Sequence, residues 1–262
     1  MSIARGTETS ARFEAIALED FPLVRKGDDI TGLILDALLR AGLTLQAFDI
    51  LVIAQKVVSK AEGRLLHLSR LTPSPRAAEL AEQTGKSPQL VEAILRESGE
   101  VLKAKHGVIV VEHRSGHVLA NAGIDQSNSE SADPQTAVLL PEDADASAEA
   151  IRKRLFEVFG GPMGVIVCDS IGRAWRLGTV GHAIGAAGLP SVIDRRGMPD
   201  LNGRPLEITI SGFADAVAAA AVLLMGEGDE GRPVVIIRGL KWTAADQPAK
   251  ALIRPVTEDM FR

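Results

Sequence analysis

Four short stretches of the chain concentrate residues whose types and spacing suit chemistry on phosphates. In Gly164-Val-Ile-Val-Cys-Asp169-Ser170-Ile-Gly172-Arg173 an apolar run delivers Asp169 and Ser170 to its carboxyl end, where α/β sheets keep their ligand sites. An Asp there suits Mg²⁺ or Mn²⁺, hard cations that prefer oxygen ligands. Arg173 and Arg176 follow at once as anion partners. In Asn121-Ala-Gly123-Ile-Asp125-Gln-Ser-Asn128, Asp125 and Asn128 offer a second carboxylate and an amide. Gln55-Lys56-Val-Val-Ser59-Lys60-Ala-Glu62-Gly63-Arg64 gathers two lysines, an arginine and a serine within ten residues, and Lys60 suits a phosphate as a point charge. Each stretch has a plainer reading as well: Asx-turn chemistry for the first two and a solvated charged surface for the third. Taken together they supply the basic groups and acidic oxygen ligands that phosphoryl transfer requires.

The fourth stretch, Gly226-Glu227-Gly228-Asp229-Glu230-Gly231, matches G-x-G-x-x-G. A dinucleotide fingerprint must follow a strand and open a helix. Here a helical stretch, Asp215 to Met225, precedes it and a strand-like run, Pro233 to Arg238, follows. Its three acids would repel a pyrophosphate unless a cation intervened, and Glu227 is placed to hold one. There is no G-x-x-x-x-G-K-[ST], so the usual triphosphate cradle is missing. His113 and His117 are four apart, but Ser115-Gly116 between them reads as a hairpin turn rather than a metal site.

The elements that must position these residues form an α and β mixture. Helices are expected over Ile30 to Arg40, stopped by Gly42; after the caps Ser74-Pro75 and Ser87-Pro88, ending near Gly85 and Gly99; over Ala148 to Phe159, with Ile151, Leu155, Val158 and Phe159 buried; and over Asp215 to Met225. The alanines of the last imply close packing against another element. Strands are expected over Asp49–Ala54, Val108–Glu112, Gly164–Cys168, Glu207–Ser211 and Pro233–Arg238. Asn128 to Ser147 and Arg195 to Pro205 read as loops. No clean linker interrupts residues 13–262, which read as one catalytic unit, either a large domain or two intimately joined lobes, behind a disordered end at 1–12.

Composition narrows the partners. Lys and Arg number 29 against 34 Asp and Glu, a net charge of −5, which argues against nucleic acid. No apolar run approaches the ~20 residues that cross a bilayer, and the polar N-terminus lacks a secretory core, so no membrane role is expected. A lone cysteine, Cys168, excludes an internal disulfide and a thiolate metal site, and fits a cytoplasmic protein.

The order Phe21-Pro22-Leu23-Val24, Ser59-Lys60-Ala61-Glu62-Gly63-Arg64, Asn121-Ala122-Gly123-Ile124-Asp125, Asp169-Ser170-x-Gly172-Arg173 and Leu224-Met225-Gly226-Glu227-Gly228 resembles the coenzyme F420-0:L-glutamate ligase (γ-glutamyl ligase) family, from about Phe21 to Leu240. The resemblance implies an α+β fold with mixed sheets and packed helices, forming an intertwined homodimer. It implies GTP-dependent addition of L-glutamate to the terminal carboxylate of the deazaflavin precursor F420-0 through an acyl phosphate, with further γ-linked glutamates in some members. Carried over by position, Asp125, Asp169, Ser170 and Glu227 would hold two divalent cations, Mg²⁺ or Mn²⁺, with K⁺ as a further candidate. Phe21, Pro22, Leu23, Val24, Gln55, Lys56, Lys60, Asn128 and the loop Met225, Gly226, Glu227, Gly228, Asp229, Glu230, Gly231 and Arg232 would line the GTP site. Asp169, Lys60 and Arg173 are the catalytic candidates. Gln55-Lys56 stands where some archaeal members have small hydroxyl residues, and the flavin-binding C-terminal domain fused in some actinobacterial members is not expected. Two other readings stay open on the residues alone: a Rossmann-type NAD(P)-dependent oxidoreductase resting on Gly226, Gly228 and Gly231, and a nucleotide- or cofactor-binding protein without turnover.

Overall fold

A strand covered on both faces has no reason to alternate apolar and polar residues, and the two purest apolar runs, at 50–54 and 234–237, lie side by side in the middle of the molecule. The computed structural model describes residues 11–127 and 135–260. In chain order its strands are β1 (Glu14–Ala17), β2 (Ile50–Ala54), β3 (Leu65–His67), β4 (Ser98–Lys105), β5 (Val108–His113), β6 (Val118–Ala120), β7 (Thr136–Val138), β8 (Gly164–Gly172), β9 (Thr179–Ala187), β10 (Val192–Asp194), β11 (Ile210–Gly212) and β12 (Val234–Arg238). Its α-helices are α1 (Ile30–Arg40), α2 (Gln55–Ala61), α3 (Pro75–Thr84), α4 (Pro88–Arg96), α5 (Ala144–Phe159) and α6 (Phe213–Met225). The expected mixture of helices and several sheets is what the chain forms.

The principal sheet runs β1-β12-β2-β8-β9. Only β2 and β8 are parallel; the other neighbours are antiparallel. Alternate residues feed two cores. Leu51, Ile53, Val165, Val167, Val234 and Ile236 face α1 and α5, whereas Ile50, Val52, Ile166, Cys168, Val235 and Ile237 face α6. A separate small core joins α3 and α4 to the sheet β4-β5-β6 through Leu80, Val91, Ile94, Ile109 and Val111.

Local signals act as the sequence suggests. Ser74 and Ser87 each accept a hydrogen bond from the backbone three residues on, at Ala77 and Leu90, satisfying an otherwise orphaned helix donor. Gly85 closes α3 in the left-handed region at φ +72°. The turn at Ser115-Gly116 joins β5 to β6, with the His113 amide donating to the His117 carbonyl.

Several expectations need correction. The fifth helix starts at Ala144, one turn before Ala148, because Asp143 caps it by accepting from the Ala146 amide. Its buried stripe is Ala148, Ile151 and Leu155; Val158 is 57% exposed. Helix α4 stops at Arg96, and Gly99 lies inside β4. Beyond the undescribed residues 128–134, the stretch read as a loop contains β7 and the first turn of α5. The strand expected over Glu207–Ser211 is the short β11, Ile210–Gly212.

The close approach expected of the α6 alanines occurs against β9. A Cβ built on Gly181 would sit 2.5 Å from the Ala218 carbonyl oxygen. Because that obstacle is backbone, Gly181→Ala is expected to destabilise the chain by ~1–3 kcal/mol, read as a lower denaturant midpoint at constant m-value.

Candidate functional site

The register of the principal sheet brings the motif segments to one end. β2 and β8 are parallel, with Ala54 opposite Cys168, so Gln55 leaves β2 beside Asp169. Asp169 itself continues in β8 opposite His182, and the strand expected to end at Cys168 runs four residues further, to Gly172. β12 runs the other way, so its amino end, fed by the loop 226–233, meets the carboxyl ends of β2 and β1. Thr179 at the start of β9 pairs with Gly172 at the end of β8. The Phe21–Val24 segment follows β1 at the same end.

Lys56 is the hub of the charged group. Its Nζ lies 2.5 Å from Asp125 Oδ2 and donates to Ser127 Oγ at 2.9 Å. Ser127 in turn donates to Asp125 through its amide (2.7 Å) and its hydroxyl (2.9 Å). Burial acts to raise the Asp125 carboxyl, but the bonds from Lys56 and Ser127 outweigh it and hold the group below the usual carboxylate range.

Asp169 behaves in the opposite way. Burial pushes it up to about 6; its bond from the Ser170 amide (2.9 Å) and the charge of Lys56 pull it down, while Asp125 and Glu227 push it further up. Asp169 therefore feels two other carboxylates and the Lys56 ammonium. Glu227 is held by Thr179 Oγ1, which donates to its Oε1 at 3.0 Å.

Val24 is buried, Phe21 packs on the core and Leu23 is 86% exposed. Pro22 lies between them on the surface. Gln55 is buried and accepts from Ser59 Oγ at 2.8 Å, leaving its amide nitrogen without a partner among the described residues. Lys60 is on the last turn of α2. Met225 ends α6, its Sδ 3.8 Å from Cys168 Sγ. In the loop beyond, Gly226 adopts φ +74°, the Gly228 amide donates to Glu230 Oε2 at 2.8 Å, and Arg232 pairs with Glu19 at 3.7 Å. Asp229 and Gly231 are exposed. Asn128 lies outside the described residues. Arg173 sits past the end of β8, donating to the Gly178 carbonyl at 3.4 Å across its own hairpin.

Sequence reasoning missed Ser127 as the clamp on Asp125 and Thr179 as the clamp on Glu227. It also missed α2, which turns Gln55 and Lys56 back toward the sheet end. Strand β9 gives little signal because five of its nine residues are Gly or Ala.

Asp125, Asp169, Ser170 and Glu227 offer only oxygen donors and an excess of negative charge, a chemistry that fits a hard divalent cation. No three His, Cys, Asp or Glu side chains among the described residues converge into a ready-made cage. No described helix is long and apolar enough to cross a membrane.

Comparison with known proteins gives a consistent result. Residues 20–239 match the family model described as F420-0:Gamma-glutamyl ligase. A protein of Methanothermobacter thermautotrophicus named coenzyme F420:L-glutamate ligase is 50% identical over 249 residues, covering 94% of this chain and 98% of its own. Proteins of the same name from Methanopyrus kandleri and Archaeoglobus fulgidus are 47% and 41% identical, covering 94% and 96% of this chain and 98% and 97% of their own. With a family model spanning most of the chain and relatives aligned almost end to end, the chain belongs to the F420-0:gamma-glutamyl ligase family.

Proposed function

We propose that the chain is a GTP-dependent ligase that joins L-glutamate to the terminal carboxylate of F420-0 through an acyl phosphate, a chemistry that can be repeated to add further γ-linked glutamates, and that it works as a homodimer. The observation that carries this reading is the meeting of Lys56, Asp125, Asp169 and Glu227 at one sheet end beside the Gly226–Gly231 loop. The loop follows α6 and precedes β12, the reverse of the order a dinucleotide fingerprint needs, so these glycines favour a phosphate-facing loop over a Rossmann site.

Each group has a task. The terminal carboxylate of the acceptor attacks the γ-phosphorus, and the diphosphate leaves. Lys56 and Lys60 offset negative charge on the phosphates as point charges, and backbone N–H groups freed by Gly226, Gly228 and Gly231 approach their oxygens. Divalent cations held by Asp125, Asp169, Ser170 and Glu227, with K⁺ as a further candidate, would supply the remaining compensation for the triphosphate and for charge developing on the transferred phosphoryl group. The amine of L-glutamate then displaces phosphate from the acyl carbon.

The test is mass spectrometry of an incubation with F420-0, L-glutamate, GTP and Mn²⁺. Product carrying one or more added glutamates, formed only with GTP and the metal, is expected. Folded protein that leaves the F420-0 mass unchanged would contradict the reading.

A further inference from the structure

The face of the principal sheet that carries Asp169 continues into a second feature. Cys168 and Ala183, paired across β8 and β9, both point into the α6 core. Alternation therefore places the next pair, Asp169 and His182, on the α5 side. Ile184, two residues along β9 and part of the α5-side core, shares that face. It forms one wall of a cavity of about 230 Å³. Cross-strand neighbours stand ~5 Å apart and i, i+2 neighbours ~7 Å, so the cavity begins about one strand from Asp169. His117, which also lines the cavity, is close enough to feel the charge of His182.

The charged groups on its walls are Glu142, Asp143 and Asp145, ahead of and within the first turn of α5, and Lys250. Two of these four charged side chains are already hydrogen-bonded. Asp143 accepts from the Ala146 amide at 2.9 Å, and Asp145 accepts from the Ala186 and Ala249 amides at 2.8 and 2.7 Å. Burial, with lesser contributions from His113 and His182, holds His117 at about 4, so it is neutral near pH 7. Lys250 and Glu142 form no ion pair among the described residues, so one ammonium and one carboxylate remain to meet a ligand. The volume falls below the ~300 Å³ at which sites for drug-sized ligands begin, a size that suits an amino acid.

We propose that this cavity binds the amino-acid substrate, an L-α-amino acid with an acidic side chain, with a carboxylate on Lys250 and its ammonium near Glu142. The proposal rests on the ligase reading and locates the second substrate beside the phosphoryl-transfer site. The bound ammonium loses one proton to solvent, and its lone pair attacks the acyl carbon. The new C–N bond forms as the C–O bond to phosphate breaks; phosphate leaves with that electron pair and takes up the second proton.

The test is steady-state kinetics of the full chain with F420-0, GTP and L-glutamate. Lys250→Ala is expected to raise KM for L-glutamate about tenfold or more, the loss of a charge-assisted contact, with KM for GTP within about twofold of wild type. Lys250→Arg should recover most of the loss, and Glu142→Gln should weaken L-glutamate in the same selective way. An unchanged KM for L-glutamate in Lys250→Ala, or KM values for both substrates rising together, would overturn the proposal. If wild-type chain makes no glutamylated product, the ligase reading has failed, and calorimetric titration of L-glutamate decides the cavity by itself. Saturable heat that weakens in Lys250→Ala upholds it, and identical titrations of the two chains overturn it.

Discussion

Asp169→Ala is expected to lower the rate of glutamate addition about a thousandfold, at the upper end of the loss for removing one preorganised electrostatic group, without making the protein less stable. Both halves follow from where β8 leaves the carboxylate. It sits on β8 where the buried residues give way to half-buried ones, in the field of Lys56 and two other acids. Burial, with Asp125 and Glu227 adding to it, raises its pKa to about 6 from an ordinary 3.8. For an acid with a raised folded-state pKa the native protein binds the extra proton. Its stabilising effect is fully present below about 3.8 and is lost as pH rises through about 6. At pH 7.5 the ionised group is therefore a burden on the fold, on the order of 1–3 kcal/mol. Removing it should leave the melting temperature equal to or above that of wild type at pH 7.5, and the advantage should shrink as pH falls toward 5. Turnover and calorimetric melting on the same sample separate the two effects. An Asp169→Ala protein that turns over at wild-type rate would remove the central ligand assignment. One that melts well below wild type would show that the carboxylate supports the fold instead.

The second large effect is expected at Glu97, which takes no part in the phosphate-facing cluster. Its side chain, 8% exposed, meets Arg64 at 2.6 Å, Arg114 at 2.8 Å and His113 Nε2 at 3.6 Å. Arg64 also donates to the Leu140 carbonyl at 2.8 Å, so the network fastens the end of α4 to the segments leading out of α2 and into α5. Removing one member of a buried ion pair leaves the other charge uncompensated, which costs ~3–5 kcal/mol. Since Arg64 retains 20% exposure and Arg114 54%, the lower end, about 3 kcal/mol, is expected for Glu97→Ala. That is a large share of the ~5–15 kcal/mol that holds a domain folded. Burial acts to raise the Glu97 pKa, and His113, Arg64 and Arg114 together outweigh it and hold the group at about 2, below its usual 4.5. With a depressed acid pKa the stabilisation is fully present above about 4.5 and is lost as pH falls through 2. Urea denaturation at pH 7 and pH 3 should show the gap between wild type and Glu97→Ala narrowing at the lower pH. A gap that stayed constant would mean that Glu97 acts through packing rather than charge.

Elements with strong local grammar were legible from the sequence. The Ile30–Arg40 periodicity, the Ser-Pro caps and the β-branched runs around Ile50, Val165 and Val234 each specify an element by contacts within a few residues. What escaped depends on distant partners. Strand β9 is mostly Gly and Ala because α6 and α5 press on it: Gly181 lies against Ala218, and a Cβ on Gly185 would be 2.2 Å from the Ala144 carbonyl oxygen. That tertiary demand removes the side chains by which a strand is recognised. Helix α2 was missed because Gln55, Lys56 and Ser59 read as solvated polar residues, whereas Gln55 and Ser59 are buried and bonded to one another.

The candidate site was legible in its types but not in its pairings. An acid at the end of an apolar run marks Asp169 from sequence alone. Nothing local says that Lys56 reaches Asp125 across 69 positions of chain, or that Thr179 holds Glu227. Those contacts follow from the parallel pairing of β2 with β8 and the reversed course of β12, which only the assembled sheet sets.

The most direct test is to follow oxygen. F420-0 labelled with ¹⁸O in its terminal carboxylate, turned over with GTP and L-glutamate, should yield inorganic phosphate carrying one labelled oxygen per amide formed, because that oxygen bridges carbon and phosphorus before the amine displaces it. Glutamylated product formed with unlabelled phosphate would contradict activation of the carboxylate by phosphoryl transfer.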